Sequence, residues 1–205
     1  LRSEDDFGIG EFRDLHKLID WAASTGQCIL QLLPVNDTTR KGGWEDSYPY
    51  SPVSSFALNP MYMHLQSLGI KENAEFKRQQ AALNALPEID YPRVFEAKMK
   101  HIRKAFEARG EKDMQTPSFM AFVKENESWL PEYAKFCAKR DSLEEEYYCW
   151  MQWHLDKQFH AEAKYARSKG IALKGDLPIG VSADSAEAYW HPELFNLDST
   201  AGAPP

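Results

Sequence analysis

The chain has 205 residues, 43% hydrophobic and 27% charged, which fits one globular domain, or one domain carrying a large insertion, with apolar surface enough for a sizeable core. Lys plus Arg number 24 against 31 Asp plus Glu, a formal charge of −7, and a surface of that sign repels phosphate backbones and anionic lipid, so nucleic-acid and membrane partners are not expected. No run approaches 18 apolar residues, the opening Leu1-Arg2-Ser3-Glu4-Asp5-Asp6 is acidic rather than export-signal-like, and Cys28, Cys137 and Cys149 are too scattered for a disulfide framework or a zinc site.

A reduced, cytoplasmic compartment is therefore expected. The ends, Leu1 and Ala203-Pro204-Pro205, read as those of a piece of a longer protein. Phe12, Leu15, Leu18, Ile19, Ala22 and Ala23 recur at helical spacing, so a helix is predicted over 12–23 with Gly26 as its cap. The run Cys28 to Val35 is almost continuously apolar and predicts a strand covered on both faces. Residues 36–55 have no period but hold Trp44, Tyr48 and Tyr50, aromatic groups that a merely solvated loop seldom needs.

From Ile70 to Arg140 the texture turns charged and Ala-rich. Helices are predicted over 72–83, 94–109 (stopped by Gly110), 117–125 (Thr116 as N-cap, Pro117 in the first turn) and 132–139. Ser142-Leu143-Glu144-Glu145 has capping-box spacing and opens a longer helix to Ser168, on which Tyr147, Tyr148, Trp150 and Trp153 read as core. Residues 171–179 form a second buried strand that carries Asp176 and runs into a polar turn over 182–185. This order divides the chain into 1–66, a helical insertion over 67–141, and 142–205. It is the grammar of an α/β fold, a β/α barrel or a doubly wound sheet.

In such folds working groups stand just past the carboxyl ends of strands. Two such places exist here, Asn36-Asp37 with the loop that follows, and 176–184. Carboxylates accept hydrogen bonds from sugar hydroxyls and aromatic faces pack on the C–H face of a pyranose, so acidic and aromatic loops suit a neutral sugar. The nucleotide motifs are absent, as are HExxH among the six histidines and a GxSxG elbow. Each candidate has a plainer reading: Asp176 as a loop anchor, Asp184 as a helix N-cap, and Trp44, Tyr48 and Tyr50 as pins holding the loop down.

Gly8-Ile9-Gly10-Glu11-Phe12, Gln31 to Asn36, Ser47-Tyr48-Pro49-Tyr50-Ser51-Pro52, Ser55 to Pro60 and Gly175 onward through Pro205 together resemble the amylomaltases, the 4-α-glucanotransferases of glycoside hydrolase family 77. The spelling of Asn36-Asp37-Thr38 and Asp46 to Tyr50 is similar to the larger branch of that family, found in plant cytosol and some bacteria. Residues 70–140 match only in being helical. The resemblance implies a (β/α)8 TIM barrel, of which this chain would be about the first three strands with a helical insertion, and a retaining double displacement on α-1,4-glucans. It implies no metal and no organic cofactor, with maltooligosaccharides and the remainder of the same chain as partners.

The family's nucleophile and acid/base belong to motifs not found in this chain and are expected beyond Pro205, so the segment alone should be inactive. Tyr50 matches a tyrosine that packs on sugar, Asp184 a substrate-site aspartate and Asp176 an acidic residue of the same strand; Ser47, Asp46 and Trp44 complete the expected substrate-binding set. Tyr189 stands where the family often has Trp, followed here by Trp190. The alternatives are a non-catalytic glucan-binding module and a hydrolase of the α-amylase clan.

Overall fold

In the computed structural model, which describes residues 2–199, a one-turn 3-10 helix over Phe12–Asp14 leads into α1 (Leu15–Ser24). Gly26 just beyond α1 adopts φ +75°, a value that costs a residue without Cβ little, and this lets the Gln27 amide return to the Ala22 carbonyl at 2.9 Å. β1 (Ile29–Gln31) follows and pairs in parallel with β2 (Ala172–Lys174), Ile29 opposite Ala172. Between the strands lie an irregular stretch and then α2 (Ala74–Asn84), α3 (Tyr91–Met114), α4 (Pro117–Glu125), α5 (Leu130–Asp141) and α6 (Glu145–Ser168); α7 (Ala186–Trp190) comes after β2.

Two apolar clusters hold these elements. The smaller joins Ile19 and Ala22 of α1, Leu30 of β1, Ala166 of α6 and Ile171, so α1 and α6 pack against the strand pair. The larger draws on all parts of the chain: Phe7 and Met61, then Phe76, Val94, Ile102, Phe119 and Tyr133, then Trp150 and Leu155. Tyr147, Tyr148, Trp150 and Trp153 are each at most 4% exposed, in agreement with their reading as core.

Four expectations need correction. Only three residues of each expected strand pair, and two strands stand among the described residues rather than about three. Nor are the strands covered on both faces: Ile29 is 58% and Leu33 61% exposed, and Leu177 and Ile179, read as strand, lie outside β2 at 82% and 95%. A strand is buried only by layers on both sides, and here helices supply one side. Helix α3 does not stop at Gly110 but runs to Met114, because Gly110 makes room for the Phe106 ring, whose Cδ2 would lie 2.5 Å from a Cβ at that position. Finally, Ser142 does not open α6. It adopts φ 56° at the end of α5, and α6 begins after Glu144, whose side chain takes both Arg103 Nη atoms instead of capping.

Candidate functional site

The loop after β1 is built around buried carboxylates. Asp37 is 1% exposed; its Oδ1 accepts from the Thr39 amide at 2.9 Å and the Thr39 hydroxyl at 2.7 Å, and its Oδ2 accepts from Tyr133 Oη at 2.7 Å. Burial lifts this carboxyl above the ordinary range against the pull of those donors. Asp46, also 1% exposed, takes the amides of Arg40, Lys41 and Gly42 on one oxygen, Oδ2, at 2.8, 3.0 and 2.7 Å. Gly42 stands at φ +72° with the Phe95 ring where a Cβ would go, 2.2 Å away, so the turn over Asp46 admits glycine alone without rearrangement.

These contacts decide where the expected site residues stand. Asp46 works inside the loop, its carboxylate occupied by main-chain donors, and it presents no free oxygen for a sugar. Trp44, 57% exposed, and Ser47, whose hydroxyl donates to the Trp44 carbonyl at 2.7 Å, border a cleft of ≈ 270 Å³ together with Asn36, Pro49 and Tyr91. Tyr50 reaches across to the other loop, its hydroxyl donating to Asp176 Oδ2 at 2.7 Å. That bond raises the phenol's pKa above its usual value. The other Asp176 oxygen accepts from the Leu177 amide at 3.0 Å, so the two expected residues meet and anchor each other, both half-buried.

Asp184 stands apart from that pair. It is exposed, and α7 is capped by the next residue, Ser185, whose hydroxyl accepts from the Ala188 amide at 3.1 Å. The plainer reading of Asp184 as the N-cap is thereby removed. Asp184 borders a cleft of ≈ 690 Å³ with Arg40, Phe136, Arg140, Asp141 and Tyr189. The two loops are stitched together beneath it: Ser182 N to Pro52 O at 2.9 Å, Ala186 N to Val53 O at 2.8 Å, and Glu187 Oε1 accepting from Ser54 Oγ and Ser55 N. Tyr189 lines the cleft and accepts from Lys139 Nζ, whereas Trp190 donates its indole N–H to the Glu132 carbonyl at 3.0 Å.

Sequence reasoning missed the part played by α5, whose Tyr133, Phe136 and Arg140 touch the loop or the cleft. Their helical spacing reads as an ordinary buried face. The contact of Tyr133 with Asp37 spans 96 positions and leaves no local trace.

A sequence model of the family described as 4-alpha-glucanotransferase, glycoside hydrolase 77, matches residues 1–146 and 139–205. The chain is 36% identical over 242 aligned residues to the 4-alpha-glucanotransferase DPE2 of Oryza sativa subsp. japonica, covering 100% of this chain and 25% of that protein. It is 29% identical to the 4-alpha-glucanotransferase of Chlamydia muridarum, again over its whole length and 44% of the relative. It therefore spans between a quarter and a half of these relatives. Among solved structures, the amylomaltase of Streptococcus agalactiae in complex with acarbose superposes with a TM-score of 0.77 at 26% identity, over 93% of this chain and 44% of that one. The amylomaltase of Corynebacterium glutamicum gives 0.78 at 25%, over 92% and 30%.

Proposed function

Because the chain belongs to the 4-alpha-glucanotransferase family, glycoside hydrolase family 77, we propose that it is the first part of a barrel enzyme that moves α-1,4-glucan segments from one maltooligosaccharide to another. The single observation that carries the proposal is the family match over the whole chain. The Tyr50–Asp176 hydrogen bond, which joins the two loops at the strand ends, supports it. The 36% identity to the rice protein supports a place in the larger branch.

A retaining transfer needs two carboxyl groups roughly 5 to 5.5 Å apart, one to form a glycosyl-enzyme and one to shuttle the proton. On this reading both come from sequence after Pro205, and the present residues shape the sugar site. Trp44 and Tyr50 offer ring walls. Asp184 is a free carboxylate at the edge of a cleft large enough for sugar units and accepts hydroxyl protons. Asp176 fixes the Tyr50 ring. Asp46 and Asp37 hold the loop from beneath. The barrel is completed by the remainder of the chain, which covers the exposed Ile29, Leu33, Leu177 and Ile179.

Product analysis of the full-length protein with maltotriose, with and without excess glucose, tests this. Longer and shorter maltooligosaccharides in a pattern that glucose shifts support transfer. Release of glucose that an added acceptor does not redirect means a hydrolase, and binding without turnover means a glucan-binding module.

A further inference from the structure

We propose that Tyr133 and Arg140 of α5 are positioning residues that hold the Asn36–Ser55 loop in its ligand-ready form, so that the helical stretch tunes substrate binding without touching substrate. The inference rests on the reading of this loop as a wall of the glucan site.

The loop is gripped where it leaves the strand. Tyr133, 1% exposed, donates to Asp37 Oδ2 at 2.7 Å, and Arg140 Nη1 donates to the Thr39 carbonyl at 2.7 Å. The rest of the guanidinium is fixed by Asp141, which accepts from Nε and Nη2 at 2.7 Å each and is itself held from α6 by the Tyr148 hydroxyl at 2.6 Å. Order then passes outward: Thr38 Oγ1 donates to the Asp46 carbonyl, the Asp46 carboxylate gathers residues 40–42, and Arg40 Nη2 takes the Ser51 carbonyl and hydroxyl at 2.8 and 2.7 Å. The Val53 amide closes the circuit on the Asp37 carbonyl at 2.7 Å. Trp44, Ser47 and Tyr50 all lie inside this circuit.

A loop that is only partly in its competent form weakens apparent affinity by the inverse of the competent fraction, while a bound ligand restores the form. Losing the Arg140 contact should therefore raise KM and leave kcat nearly alone. A residue that met the transition state would show the opposite.

The test uses the full-length protein with Arg140→Met, Arg140→Lys and Tyr133→Phe, assayed on maltotriose, with amide hydrogen exchange followed over residues 37–53. Arg140→Met should raise KM about tenfold with kcat within about twofold, and Arg140→Lys, which still carries a donor, should recover most of the loss. Exchange of the loop amides should quicken in Arg140→Met and Tyr133→Phe. Unchanged KM in both variants, or a fall in kcat with KM unmoved, overturns the inference. If Arg140→Met does not fold, Tyr133→Phe, which removes one oxygen and no bulk, decides alone. If the wild-type protein transfers no glucan, the glucan reading fails, and the exchange data decide separately: unaltered loop protection overturns the positioning role.

Discussion

Asp184 and Tyr50 illustrate how a single side chain's surroundings determine what its replacement will do. Asp184 is exposed and the helix behind it is capped by Ser185, so Asp184→Asn changes charge without disturbing a structural bond. If the carboxylate favours the oxocarbenium-like transition state, kcat on maltotriose in the full-length enzyme should fall roughly a hundredfold with the melting temperature unmoved, the order found when one electrostatic stabiliser is removed. A normal kcat would make Asp184 a bystander on the cleft rim. Tyr50 is half-buried and its strong polar contact is to Asp176. Tyr50→Ala should weaken maltotriose turnover at least about tenfold while the melt shifts little. A large loss of stability, with full specific activity in what remains folded, would show the ring to be a pin for the loop instead.

Between elements, the α3–α6 seam carries a pH-dependent part of stability. Asp113 Oδ2 accepts from Arg109 Nε at 2.7 Å and Trp150 Nε1 at 2.9 Å, and lies 3.3 Å from His154 Nε2. Burial would raise the Asp113 carboxyl, but these donors outweigh it and hold it below its ordinary value. Burial pushes His154 down to about 4 in spite of Asp113, with Arg109 and Lys157 adding to the fall. In the unfolded chain the imidazole takes a proton as pH drops through its ordinary value near 6.5, while in the fold it does so only near 4. The stabilisation is complete above about 6.5 and is lost as pH falls toward 4, in total roughly 3 kcal/mol. Thermal melts between pH 7 and 4.5 should fall more steeply for the wild type than for His154→Gln; equal slopes would refute the assignment.

The helices also show what a sequence can reveal. α4 is legible to the residue because Thr116 and Pro117 mark its start by local chemistry, and the Thr116 hydroxyl does accept from the Phe119 amide at 3.3 Å. Gly110 and Ser142 mislead because their roles depend on what packs nearby, a Phe106 ring in one case and the left-handed exit of α5 in the other. The strands are legible in position but not in length, since pairing needs a partner that local pattern does not describe. The same limit applies to the site. Tyr50, Asp176 and Asp184 can be picked out by their place after strands, whereas the internal duty of Asp46 emerges only when Gly42 turns its amide inward.

For the molecule as a whole, the two-stranded sheet leaves backbone edges open and large apolar residues uncovered, with Leu177, Ile179 and Leu194 at 82%, 95% and 73% exposure. Such surface drives association. Residues 1–205 produced alone should self-associate, seen as a concentration-dependent mass in light scattering, and should not turn over maltotriose. A monodisperse monomer at high concentration, or measurable turnover, would contradict the partial-barrel reading.

The parallel pairing of Ile29 with Ala172 also sets an order of events on the ribosome. At roughly 5–20 residues per second, β2 emerges some 7 to 30 s after β1. Helices form within about a microsecond, so α2 to α6 can gather around Trp150 and Ile102 during that delay. The sheet is then the last seam to close. Until it closes, Ile29 and Leu30 wait without their partner, a stretch of nascent chain suited to capture by a chaperone.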